Sequence, residues 1–135
     1  MALKSSMKII VVDDMATMRK IIKNILGQLG FKNICEAEDG KKALADILQA
    51  HSIGEPVEFI VSDWNMPEMT GLDLLAAVRK DEKLKDTPFL MVTAEAEQGN
   101  IMLAVKAGVD NFIVKPFSAQ VLKEKIDKIF TKRGQ

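Results

Sequence analysis

"KIIVVDD", residues 8–14, runs four β-branched apolar residues together and stops at two adjacent acids. An uninterrupted apolar run of this kind suits a strand covered on both faces. Its ending is unusual, because two carboxylates about 4 Å apart repel by roughly 4 kcal/mol at an effective dielectric near 20. Four further runs follow along the chain: "ICEAED" (34–39), "EFIVSD" (58–63), "FLMVTA" (89–94) and "NFIVKP" (111–116). The first of these alternates, as an edge strand does. The other three are continuous and rich in Val, Ile and Phe.

Helical periods lie between the runs. Met18, Ile21, Ile22, Ile25, Leu26 and Leu29 form one apolar stripe that Gly30 ends. Ala43, Leu44, Ile47 and Leu48 form a shorter one. Leu72, Leu75, Ala76 and Val78 follow Gly71, and Ile101, Ala104 and Val105 lead to Gly108. Ser118 is placed to cap a last helix that turns Leu122, Ile126, Ile129 and Phe130 inward. "HSIGEPVE" (51–58) reads as a loop. Five strand–helix repeats predict an α/β fold, a doubly wound five-stranded parallel sheet of (βα)5 type.

Composition limits the function. The 135 residues suit one domain spanning 1–135, with residues 1–6 as a loose leader. Nineteen Lys and Arg balance nineteen Asp and Glu, so bulk electrostatic binding of nucleic acid is not expected. Cys35 is the single cysteine, which excludes an internal disulfide and suits a reducing, cytoplasmic setting. No apolar run has the length of a membrane span.

In open parallel sheets the site lies beyond the carboxyl ends of the strands. Here those ends carry Asp13 and Asp14, then Asp63, then Thr93, then Lys115. Each residue is unremarkable alone; together they place three acids, a hydroxyl and an amine at one edge. Three carboxylates make a hard oxygen site for Mg²⁺, which takes a few protein oxygens and keeps several waters. A lysine and a threonine beside it suit a phosphoryl group. Asp63, alone at its strand end, is the best candidate nucleophile for an aspartyl phosphate.

The pieces "VVDD", "SDWNMPEMTG", "MVTAEA" and "VKPF" resemble, in order and spacing, the receiver domain of two-component response regulators. That family has the flavodoxin-like, CheY-like fold. The match runs from about residue 7 to 131. "EAEDG" and the ending "VLKEKIDKIF" are similar to the single-domain chemotaxis regulators of the CheY type. With no segment after residue 135, no attached output domain is expected.

The resemblance implies roles. Asp63 would accept a phosphoryl group from a CheA-type histidine kinase. Asp14, Asp63 and the backbone carbonyl of Asn65 would hold Mg²⁺, and Asp13 would act through a water on the metal. Lys115 and Thr93 would contact the phosphoryl oxygens. Residues 94–98 would follow Thr93, and Phe112 would then move inward as the switch. The α4-β5-α5 face would bind a flagellar motor switch protein of FliM type, through Ala96, Val114, Phe117, Lys125 and Lys128. Asn65 and Glu95 would tune autodephosphorylation, and a CheZ- or CheX-type phosphatase is a further implied partner. The protein would act as a monomer and as a switch, its only chemistry being on its own phosphate.

Two departures from the CheY pattern stand out. Phe112 occupies a position where tyrosine is usual, and this chain has no tyrosine. Losing the hydroxyl should ease burial of the ring and loosen the coupling of the switch to phosphorylation. Glu97 and Gln98 follow Ala96 where basic residues are usual, although Lys125, Lys128 and Lys132 remain on the last helix. A receiver that serves as a phosphate sink or a non-motor regulator is therefore the main alternative. A magnesium-dependent small-molecule phosphohydrolase is not expected, because the chain offers no D-x-D nucleophile motif and no spare segment for a substrate cap. A flavodoxin-like nucleotide binder would have its phosphate repelled by the acids after the first strand. His51, Trp64 and most of the eight methionines read as ordinary packing or surface residues.

Overall fold

The computed structural model describes residues 6–94 and 98–134. Five strands alternate with five helices: β1 Ile9–Val12, α1 Ala16–Gln28, β2 Ile34–Ala37, α2 Gly40–Ser52, β3 Phe59–Asp63, α3 Gly71–Lys80, β4 Phe89–Thr93, α4 Gln98–Ala107, β5 Asn111–Val114 and α5 Ala119–Lys132. The strands form one parallel sheet in the order β2-β1-β3-β4-β5. The doubly wound fold expected from the sequence is the fold found, with β2 on the edge.

The period-2 alternation of each strand feeds two cores. Ile9, Val11, Phe59, Val61, Leu90 and Val92 point to the face covered by α1 and α5. Ile10, Val12, Ile60, Phe89 and Met91 point to the face covered by α2 and α3. Burying each of these large side chains contributes about 1.5–3 kcal/mol. Phe59 meets Phe130 of α5 edge-on, ring centroids 5.3 Å apart, so α5 is held to the middle of the sheet.

Caps set where the helices begin. The Asp39 side chain accepts from the Lys42 amide, and Ser118 from that of Val121, as expected for the last helix. Thr70 and Asp73 form a reciprocal capping box at the start of α3. Gly30, at φ 102°, turns the chain after α1 in a conformation that side chains resist.

The structure departs from the sequence reading in some places. His51 lies in the last turn of α2 and not in a loop, because the helical turn continues until Gly54, at φ 78°, reverses the chain. Ile21, Leu48 and Val105 are exposed although their stripes pointed inward. Each helix covers the sheet with a narrow face, and these residues lie at its margin. On α3 the buried set is Gly71, Leu74, Leu75 and Val78, spaced i, i+3, i+4, i+7, so Leu74 replaces Leu72 and Ala76 in the core.

At the amino edge of the sheet, opposite the acidic end, Asp110 gathers charge. Its carboxylate takes the Arg79 and Arg133 guanidiniums at 3.0 and 2.7 Å and the Phe89 amide at 2.7 Å. These contacts join the ends of α3 and α5 to the starts of β4 and β5. The Asp110→Ala substitution leaves two half-buried cations and a strand amide short of a partner. We expect a loss of about 2–3 kcal/mol, discounted for partial exposure, in urea denaturation.

Candidate functional site at the carboxyl edge

β1 and β3 are neighbours, with Val12 paired to Ser62. The next residues, Asp13 and Asp63, therefore stand side by side with the same parity. Both are buried, and Asp14 beside them is exposed. One carboxylate oxygen from each of the three lies within 4.8 Å of the others.

β5 brings the cation. The Lys115 amide donates to the Thr93 carbonyl at 2.8 Å, which continues the β4–β5 ladder past the end of the strand. Its Nζ reaches Asp13 Oδ2 and Asp63 Oδ1, both at 3.2 Å. Thr93 is buried at the end of β4. The structure thus assembles Asp13, Asp14, Asp63, Thr93 and Lys115 at one edge.

The backbone around Asp63 is tightly built. The Trp64 amide donates to Val92 and its carbonyl accepts from Gly71. Ser62 Oγ donates to the Asp63 carbonyl at 3.0 Å. A Cβ at position 71 would fall 2.2 Å from that carbonyl, so only glycine lets α3 start so close to the site. Trp64 is half-buried and Asn65 is exposed on the same loop.

Burial raises the Asp63 carboxyl above its ordinary pKa, and the neighbouring Asp13 charge adds to this. Lys115 pulls the other way without cancelling it. For Lys115, burial lowers the pKa, but the Asp63 and Asp13 charges outweigh it and the ammonium is held above its usual value.

The other sequence-predicted residues stand elsewhere. Phe112, Val114, Phe117 and Lys125 line one groove of about 320 Å³ between β5 and α5. Lys125 Nζ lies 5.3 Å from the centre of the half-buried Phe112 ring. Lys128 and Lys132 are exposed on α5. Glu95, Ala96 and Glu97 lie outside the described residues, as do residues 1–5 of the expected leader. A survey of strand ends misses Arg19. It sits in the first turns of α1 and donates to the Asp13 carbonyl at 2.7 Å. No spacing rule points to it, since the contact depends on where α1 lies over the sheet.

Comparison with known proteins places this geometry. Residues 9–127 match the response regulator receiver domain family. The chain is 58% identical over 124 residues to the chemotaxis protein CheY of Pseudomonas aeruginosa, covering 92% of this chain and 96% of that one. It is 52% identical over 128 residues to CheY-3 of Vibrio cholerae, covering 95% of each. Among solved structures, Vibrio cholerae CheY4 superposes with a TM-score of 0.82 at 31% identity, over 92% of this chain and 98% of that one. The chain belongs to the response regulator receiver family. Within it, the relatives make this a chemotaxis regulator of the CheY type, a signalling switch rather than a catalytic enzyme. CheY is itself a standard example of the 2-1-3-4-5 order, in which the site falls where the winding reverses at β1 and β3. Among the described residues, no helix is long and apolar enough to cross a membrane.

The raised Asp63 pKa has a consequence for stability. Its ionised form is disfavoured in the fold, so without metal the native state loses stability as pH rises from the unfolded carboxyl pKa through the folded one. In EDTA at pH 7 the Asp63→Asn variant should therefore have a higher urea midpoint than wild type. That gap should close as pH falls below the raised pKa.

Proposed function

We propose that this chain accepts a phosphoryl group on Asp63 from a CheA-type histidine kinase, with Mg²⁺, and that the modified protein binds a FliM-type flagellar motor switch protein. The observation that carries this reading is the Lys115 bridge between two of three clustered carboxylates. One ammonium leaves the cluster with excess negative charge, and the donors are all hard oxygens, one of them exposed. That donor chemistry fits Mg²⁺, with Asp13, Asp14 and Asp63 as the carboxylates and the Asn65 backbone carbonyl as a further ligand. When bound, Mg²⁺ would supply neutralising charge to the phosphoryl oxygens.

The chain's own groups would do the rest. Asp63 Oδ attacks phosphorus, a new O–P bond forms and the histidine N–P bond breaks. Lys115 and Thr93 hold the phosphoryl oxygens. In the return step water cleaves the O–P bond and frees inorganic phosphate, at a rate that Asn65 and Glu95 would tune. A CheZ- or CheX-type phosphatase would act on that step. The setting would be cytoplasmic and the unit a single-domain monomer.

The output face would be the groove of Phe112, Val114, Phe117 and Lys125, with Lys128 of the same helix and Ala96 as further partner-binding residues. Val121 of α5 lines the same groove and is exposed as an apolar anchor, and the lysines favour an acidic peptide. Phe112 would be the switch. Its ring already rests half-buried under Lys125, which supports a low cost for the inward state.

The test is a titration of the full chain with the N-terminal peptide of the switch protein, in Mg²⁺, with and without beryllofluoride. Beryllofluoride stands in for the phosphoryl group on Asp63, and Trp64 fluorescence reports that the site has filled. We expect affinity to rise about five-fold or more, within the usual range of coupling between sites. The Asp63→Asn variant should show no rise. A filled site with no gain in wild type would overturn the motor reading in favour of a phosphate sink.

A further inference from the structure

Arg19 has no part in the chemistry above, yet its guanidinium is fixed on two sides. Nη1 donates to the Asp13 carbonyl at 2.7 Å and Nε to Glu36 Oε1 at 2.7 Å. The second oxygen of Glu36 takes Lys23 Nζ, also at 2.7 Å. Those two cations hold the Glu36 carboxyl below its usual pKa, Lys23 contributing most. The chain of contacts runs from Lys23 on α1 to Glu36 on β2, back to Arg19 on α1, and ends on the backbone of β1's acidic terminus.

That end point matters because of what surrounds it. The Asp13 amide donates to Ala37 at 3.2 Å. Its Oδ1 accepts from the Met15 amide at 2.9 Å, and its Oδ2 from Lys115. Arg19 supplies the partner of the one remaining polar atom, the carbonyl. That carbonyl belongs to the peptide joining Asp13 to Asp14. A peptide is planar, so fixing its C=O fixes the direction in which the Asp14 Cα leaves. Asp14 is exposed, and its aim is set by backbone direction rather than by enclosing side chains.

We infer that Arg19, oriented by Glu36, is a positioning residue for the acidic site: it holds the Asp13–Asp14 peptide so that both carboxylates face one divalent cation. The guanidinium suits this task because its rigid fork serves a carbonyl and a carboxylate in one plane. A lysine keeps the charge and loses the fork. The inference rests on reading the triad as a Mg²⁺ site.

The test is Mg²⁺ titration of the full chain, followed by Trp64 fluorescence and by calorimetry, for wild type, Arg19→Lys, Arg19→Ala, Glu36→Gln and the Arg19→Lys/Glu36→Gln double variant. Melting in EDTA serves as the structural control. Arg19→Lys should weaken Mg²⁺ binding about ten-fold with its charge kept, at the low end of what outer-shell partners contribute to metal sites. Glu36→Gln should weaken it less, and the double variant should be no worse than Arg19→Lys, since the two act in series. Wild-type Mg²⁺ affinity in Arg19→Lys would overturn the inference, whether or not its melting temperature falls. Tighter binding in Arg19→Ala, with Arg19→Lys unchanged, would show a role of charge alone and also overturn it. A wild-type chain that binds no Mg²⁺ would overturn the metal reading itself, and this inference with it.

Discussion

Mutual repulsion of carboxylates at one edge of the sheet is the constraint on which the rest depends. Asp13 and Asp63 are buried side by side because β1 and β3 are adjacent and in register. Burial favours the protonated form of Asp63, and the nearby Asp13 charge adds to this. Lys115 bridges them at 3.2 Å each, and it reaches them because its own amide extends the ladder from Thr93. The edge keeps residual negative charge and an exposed third acid. An edge with residual negative charge attracts a cation more strongly than a neutral one.

The remainder of the fold can be understood as support for that edge. Apolar strands with helices on both faces make a rigid platform, and glycine at position 71 lets α3 begin against the Asp63 carbonyl. At the other end Asp110 ties α3, β4, β5 and α5 together. The two ends of the sheet thus use charge differently. At Asp110 two arginines close on one carboxylate, which ties helix ends to strand starts and serves cohesion. The Asp63 cluster is mismatched, with one lysine on two of three carboxylates, and can respond to a ligand. β5 connects the site to the groove between β5 and α5: Lys115 follows its last residue and Phe112 lies within it, three positions apart along the chain.

Much of this was legible from the chain itself. Strand order along the sequence, the doubly wound fold and the five strand-end residues follow from uninterrupted apolar runs and from the rule that sites gather at carboxyl ends. The motifs around Asp63, Thr93 and Lys115 were specific enough to indicate the family, and the relatives bear that out. The helix faces were less legible. Apolar stripes on α1, α2 and α4 were wider than the faces that pack, which is why Ile21, Leu48 and Val105 lie exposed. Gly54, rather than the apparent loop at 51–58, sets the end of α2.

The sequence by itself determined which groups stand at the edge, because side-chain period and strand polarity are local properties of the chain. Only the tertiary structure decided which groups touch. The Lys115 bridge spans residues 102 positions apart, and the Arg19–Glu36–Lys23 chain needs α1 to lie across β2. Such contacts depend on sheet register and helix placement, which packing of the whole core fixes and no local spacing encodes.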